Sequence, residues 1–129
     1  MGRKKIIVVN DDSILSKTID MCLSKRGHDV KVFRSGADAV KYLFEDTPDS
    51  VLLDIRLPDC DGWFIAQLFE KLEWLEKVPI IVISVLEPDR RKVAEFKPYA
   101  YISKPFDMGQ LVETVESSLS ENEQPSLGV

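Results

Sequence analysis

Residues 50–62 read Ser50-Val51-Leu52-Leu53-Asp54-Ile55-Arg56-Leu57-Pro58-Asp59-Cys60-Asp61-Gly62. The apolar run at 51–53 is short and continuous rather than alternating, the pattern of a strand buried on both faces of a parallel sheet. It ends on a carboxylate, Asp54. A carboxylate closing a central, buried strand is hard to read as one more solvated loop residue. Asp59, Asp61 and Gly62 are turn chemistry between this strand and a following helix.

Further short β-branched runs lie on either side, at residues 6–9, 30–33, 79–83 and 100–103. Helical patterns alternate with them and are expected at 13–25, 36–44, 62–74, 90–96 and 107–119. In the first, Ile14, Leu15, Thr18, Ile19, Cys22 and Leu23 share one apolar face. Gly27 is placed to cap its C-terminal end, and Ser35 and Asp107 to cap the N-termini of the second and fifth helices. Such alternation implies a parallel sheet wrapped by helices, with its reactive site at the carboxyl ends of the strands. Residues 1–120 form one domain on this reading, and the polar stretch 121–129 is a disordered tail or a truncated linker.

Composition narrows the function. The chain has 129 residues and a formal charge of −5, with no basic stripe to neutralise phosphates. Nucleic acid is therefore not an expected partner, and an anionic membrane surface would not attract it. No apolar run approaches the roughly 20 residues that span a bilayer. Cys22 and Cys60 have neither CxxC spacing nor a paired histidine, and read as free thiols of a cytoplasmic protein. His28, the single histidine, follows Gly27 in a loop and is not placed as a phosphotransfer residue. Arg90, Arg91 and Lys92 read as a solvated helix face or a docking patch, Trp63 as near the acidic site, and Trp74 as core or rim.

Taken in order, the strand ends carry Asn10-Asp11-Asp12, Asp54, Ser84 and Lys104-Pro105. Each has an ordinary reading alone: Asp11 and Asp12 as helix caps, Ser84 as a strand-end hydroxyl, Lys104 as a surface lysine. Together they meet one chemical need. Carboxylates about 4 Å apart repel by roughly 4 kcal/mol at an effective dielectric near 20, a cost that a cation between them removes. Mg²⁺ takes one or two carboxylates, waters and a phosphate oxygen. A carboxylate beside it can attack phosphorus and become an acyl phosphate, whose oxygens a lysine and a hydroxyl then hold.

Over roughly residues 4–119 the chain resembles the receiver domains of two-component response regulators. The motifs that carry the resemblance are IIVVNDD, SVLLDIRLPDCDG, PIIVISV and YISKPF, in that order and spacing. The resemblance implies a flavodoxin-like doubly wound sheet of five parallel strands in the order 2-1-3-4-5. It implies Asp54 as phosphoacceptor, with Mg²⁺ held by Asp11, Asp54 and the backbone carbonyl of Arg56, and by Asn10 through water. Ser84 and Lys104 would bind the phosphoryl group, Ser84 and Tyr101 would form the switch, and the Lys104–Pro105 bond would be cis. The implied partners are a sensor histidine kinase or a histidine phosphotransfer protein, and a downstream effector domain or protein. The chain would act only on itself, accepting and losing a phosphoryl group, not as an enzyme on free substrates. It is read either as a stand-alone receiver or as a domain of a larger regulator or hybrid kinase.

Three features depart from the family pattern. Asn10 stands where an acid is usual, which predicts weaker Mg²⁺ binding. Val85 stands where a small residue is usual, and either narrows the acceptor's slot or packs as a strand residue. The segment between Ser84 and Lys104 is short and contains Pro88 and Pro98, so the fourth helix is expected to be short or distorted. The first two favour a rival reading, a phosphorylation-independent pseudo-receiver acting as a scaffold. An aspartyl phosphatase is disfavoured by Arg56, where a second acid is usual, and a nucleotide binder by the lack of a glycine-rich loop after the first strand.

Overall fold

The computed structural model describes residues 3–121. The expected tail at 121–129, apart from residue 121, lies outside them. Five strands and five helices alternate: β1 Lys5–Val9, α1 Ser13–Lys25, β2 Asp29–Phe33, α2 Gly36–Leu43, β3 Ser50–Asp54, α3 Gly62–Lys71, β4 Ile80–Ser84, α4 Arg90–Phe96, β5 Ala100–Ser103 and α5 Met108–Glu121. All pairings are parallel and the order is β2-β1-β3-β4-β5, the doubly wound flavodoxin-like arrangement.

The continuous apolar runs become the central strands because both faces of the sheet are covered. Ile7, Val9, Val51, Leu53 and Val82 pack with Ala39, Leu43, Ile65 and Phe69 of α2 and α3. Ile6, Val8, Leu52, Ile81, Ile83 and Ile102 pack with Ile19 and Leu23 of α1 and with Leu111 and Val115 of α5. Each buried Leu or Ile side chain of this kind contributes about 2 kcal/mol of transfer free energy.

Local signals set most boundaries. Asp12 Oδ1 accepts from the backbone N–H of both Ile14 and Leu15 and starts α1. At the other end Gly27 adopts φ +91°, and the N–H groups of Gly27 and His28 return to the carbonyls of Ser24 and Leu23. Ser35 Oγ caps α2 and Asp107 Oδ2 caps α5. The Lys104–Pro105 bond is cis.

Some boundaries differ from the sequence reading. Pro79 lies outside β4, since it has no N–H for the ladder, although its carbonyl still accepts from Val51 N–H at 3.1 Å. Helix α3 stops at Lys71 because Leu72 turns extended, and a 3-10 turn follows at Glu73–Leu75. That turn buries Leu75 and lets the Trp74 indole N–H donate to the Leu43 carbonyl, with the ring on the rim. Helix α4 is short, as expected, and has no fully buried residue. Its Phe96 stacks on Trp63 with ring centroids 5.6 Å apart, which places Trp63 in the core between α3 and α4.

Candidate functional site

The carboxyl ends of β1, β3 and β5 meet at an open cleft of about 430 Å³, lined by Asp11, Asp12, Asp54, Arg56, Val85 and Lys104 among others. Asp54 is the last residue of β3 and only 4% exposed. Its two oxygens are held separately: Oδ1 accepts from the Arg56 backbone N–H at 3.0 Å, and Oδ2 from Lys104 Nζ at 2.9 Å. Burial alone would penalise this charge. The lysine and the amide are the two donors that offset that penalty.

Strand alternation explains the convergence. Leu52 faces the α1–α5 layer, and Asp54, two residues on, continues that face. Ile102 faces the same layer, and Lys104 follows it by two residues. Asp11 lies one residue beyond Asn10 and is exposed on the cleft. The cleft lining thus carries three carboxylates and two cations, a formal charge of −1. Asp12, although on the cleft, is committed to the start of α1 through its Oδ1.

The remaining predicted residues sit differently. Asn10 is fully buried; its Oδ1 accepts from the Asp12 backbone N–H at 3.3 Å. Ser84 is fully buried at the end of β4, where its Oγ accepts from the Leu86 N–H at 3.0 Å. It continues the other face of the sheet, after Ile80 and Val82. Tyr101 packs against that same face, and its hydroxyl donates to the Leu86 carbonyl at 3.0 Å. Ser84 and Tyr101 are therefore linked through the two polar groups of one peptide residue, Leu86. Position alone marks Leu86 as a residue flanking the site; that it acts through its backbone N–H and carbonyl is seen only in the fold.

Val85 is 59% exposed and lies on the lip of the cleft, so it does not pack as a strand residue. Asp59 was legible only as a turn residue. Its carboxylate in fact accepts from the N–H groups of Gly36 and Ala37, tying the β3–α3 loop to the start of α2. Those bonds stabilise the charged form and hold its pKa below the ordinary carboxylate range. His28 lies away from the cleft, with its ring nitrogen 3.0 Å from Glu116 of α5. Burial pushes the Cys60 thiol up, in keeping with an unreactive free cysteine.

Known proteins share this fold. The chain superposes on a receiver domain of Methanospirillum hungatei JF-1 with a TM-score of 0.87 and 20% identity, covering 97% of this chain and 100% of that one. It matches the BeF3-activated DrrB receiver domain with a TM-score of 0.80 and 29% identity, covering 92% and 98%. The phosphorylated cyanobacterial phytochrome response regulator RcpA matches with a TM-score of 0.79 and 25% identity, covering 97% of each chain. The family model of the response regulator receiver domain matches residues 6–116. With the five-stranded order, the strand-end acids and the lysine paired to the central one, this match makes the chain a member of the response regulator receiver domain family of two-component signalling.

Proposed function

We propose that this receiver domain is a working phosphoacceptor, in which Asp54 takes a phosphoryl group from a phosphohistidine of a sensor histidine kinase or phosphotransfer protein. The observation that carries the reading is the state of Asp54: buried, ionically paired with Lys104, and facing an open cleft. A carboxylate oxygen of Asp54 attacks phosphorus, the P–N bond to the imidazole breaks, and the imidazole leaves. Hydrolysis reverses the outcome: water attacks phosphorus, the bond to Asp54 breaks, and inorganic phosphate departs. Lys104 follows the charge from the carboxylate to the phosphoryl oxygens. The phosphorylated relative RcpA and the BeF3-activated DrrB domain lend support.

The donor set suits Mg²⁺. Asp11, Asp54 and the Arg56 carbonyl are all hard oxygen ligands, with Asp11 open to solvent. Among the described residues no group of three or more His, Cys, Asp or Glu side chains is gathered as a metal cluster. Mg²⁺ requires only one or two carboxylates and keeps several waters. Bound there, the ion would neutralise the charge that brings acceptor and phosphoryl oxygens together. The second lone pair of Asn10 Oδ1 is available to a water of that ion.

Phosphorylation adds nearly two negative charges to Asp54, at the end of the strand that pairs with the one Ser84 closes. Ser84 would exchange its Leu86 bond for a phosphoryl oxygen, which loosens the peptide that Tyr101 also holds. The surface of α4 and β5 then changes for an effector domain or protein. The chain acts on itself in this scheme, as a switch and not as an enzyme on free substrates. Residues 1–120 are taken as the switching unit, and a cytoplasmic setting suits the phosphodonor; no helix among the described residues is long and apolar enough to cross a membrane. The scaffold alternative has no use for the Lys104–Asp54 pair.

Intact-mass measurement after incubation with Mg²⁺ and a small phosphodonor, quenched rapidly, tests the proposal. One added phosphoryl group, lost in Asp54→Asn and without Mg²⁺, is expected. Unmodified wild-type protein would transfer the reading to the scaffold.

A further inference from the structure

Among the described residues, the buried side-chain polar atom left without a hydrogen-bond partner is Nδ2 of Asn10. The orientation of this amide is set by its neighbour. Oδ1 accepts from the Asp12 backbone N–H; turned over, two donors would face each other, so Nδ2 is the end left over. Its direction follows from the strand. Ile6 and Val8 face the α1–α5 layer, and Asn10 continues that alternation as Asp54 does after Leu52. Val9 is in register with Leu53, so Asn10 stands beside Asp54 one step further along two strands about 4.8 Å apart. A buried N–H without an acceptor calls for a group that supplies one.

We propose that Asn10 is an anion donor of the acceptor site: its Nδ2–H binds an oxygen of the tetrahedral, negatively charged group carried by Asp54. This rests on the reading of Asp54 as phosphoacceptor and deepens it. An acid in the place of Asn10 would attract a cation and repel the phosphoryl oxygens. The amide does neither, and gives the anion a fixed neutral donor beside the charged donor Lys104. The site therefore gives up cation affinity and gains anion affinity. Its specificity is shifted toward the phosphoryl group itself, while the Oδ1 end keeps the Asp12 turn in place.

The test uses the full chain with two probes, Mg²⁺ alone by calorimetry and fluoroberyllate at saturating Mg²⁺ by fluorine NMR, on wild type, Asn10→Asp and Asn10→Ala. Thermal melting checks that each variant folds. Asn10→Asp is expected to bind Mg²⁺ more tightly and fluoroberyllate about tenfold more weakly, opposite signs from one substitution. Asn10→Ala is expected to lose about tenfold in fluoroberyllate affinity at saturating Mg²⁺ and to change Mg²⁺ affinity by less than that. Unchanged fluoroberyllate binding in both variants would overturn the role of Asn10 while leaving Asp54 as acceptor. Equal losses of both affinities with a lowered melting temperature would overturn it too, as the mark of a purely structural residue. Absence of fluoroberyllate binding in the wild type would remove the acceptor reading, and this inference with it.

Discussion

Lys104 Nζ lies 2.9 Å from Asp54 Oδ2, although 50 residues separate the two in the chain. The lysine side chain is 19% exposed and the aspartate 5%, so the pair is screened far less than a surface ion pair. Each partner is where it is because a parallel strand ends there. The relationship joins stability to chemistry, since the cation that stabilises the resting carboxylate is also the one next to the proposed phosphoryl group.

Removing the lysine leaves a buried charge with one amide donor. Lys104→Met is expected to destabilise the metal-free protein by roughly 2–4 kcal/mol. Asp54→Asn in the same background should recover much of that loss. Urea denaturation of the two single variants and the double variant measures the coupling directly. Added Mg²⁺ should stabilise Lys104→Met more than the double variant.

Gly62 packs against the acceptor strand. A Cβ there would come within 2.5 Å of the Asp54 carbonyl oxygen and 2.8 Å of the Ile55 Cα, both backbone atoms that cannot swing aside. Gly62→Ala should cost roughly 2–3 kcal/mol and slow phosphorylation by displacing Asp54. Gly27→Ala meets no atom within 4 Å but keeps a φ of +91°. It should cost only about 1–2 kcal/mol, through the backbone, and leave phosphorylation alone. Melting curves and intact-mass time courses separate the two.

Lys97 ends α4 in the left-handed region at φ 47°, its N–H returning to the Val93 carbonyl at 2.8 Å. This is the position where glycine avoids the Cβ penalty. Lys97→Gly is expected to raise stability by up to about 1 kcal/mol in chemical denaturation, the gain being offset in part by unfolded-chain entropy.

Glu116 gathers Arg26, at 2.7 Å, and His28, at 3.0 Å, onto α5. The hydrogen bond from Arg26, chiefly, holds its carboxyl below the ordinary glutamate value. The unfolded chain therefore takes up that proton at higher pH than the folded one. The contribution is complete above the unfolded value of about 4.3 and is lost as pH falls through the lower folded value. Glu116→Gln should flatten the acid limb of the stability curve in that window. A variant with the wild-type acid limb would rule the cluster out as its source.

Val85 projects into the mouth of the cleft and is largely exposed. Val85→Ala should leave stability within about 0.5 kcal/mol of wild type. Phosphorylation by a small donor, followed by rapid-quench mass measurement, should speed up if the valine obstructs the acceptor. An unchanged rate would mean that access is set elsewhere.

Much of this molecule was legible locally. Helix α1 begins at Asp12 and ends before Gly27 because a carboxylate can meet free N–H groups at one end and a glycine can turn left-handed at the other. The runs at β1, β3 and β4 announced buried parallel strands because both of their faces are covered. Their ends announced the acids and the hydroxyl, and the end of β5 the lysine. These properties depend on neighbours within a few residues, which periodicity and capping record.

Only the tertiary structure decided which groups satisfy one another. Helix α3 gives way to a 3-10 turn after Lys71 so that Leu75 is buried and the Trp74 indole meets the Leu43 carbonyl. Asp59, a turn residue by sequence, spends its carboxylate on α2. Asp12 is claimed by α1, Ser84 and Tyr101 converge on Leu86, and Asn10 is buried with its amide nitrogen unpartnered. Sequence names the donors and acceptors at each strand end; strand register and burial settle the pairs, because each side-chain atom can be spent on only a few partners and the contest is decided across the whole fold.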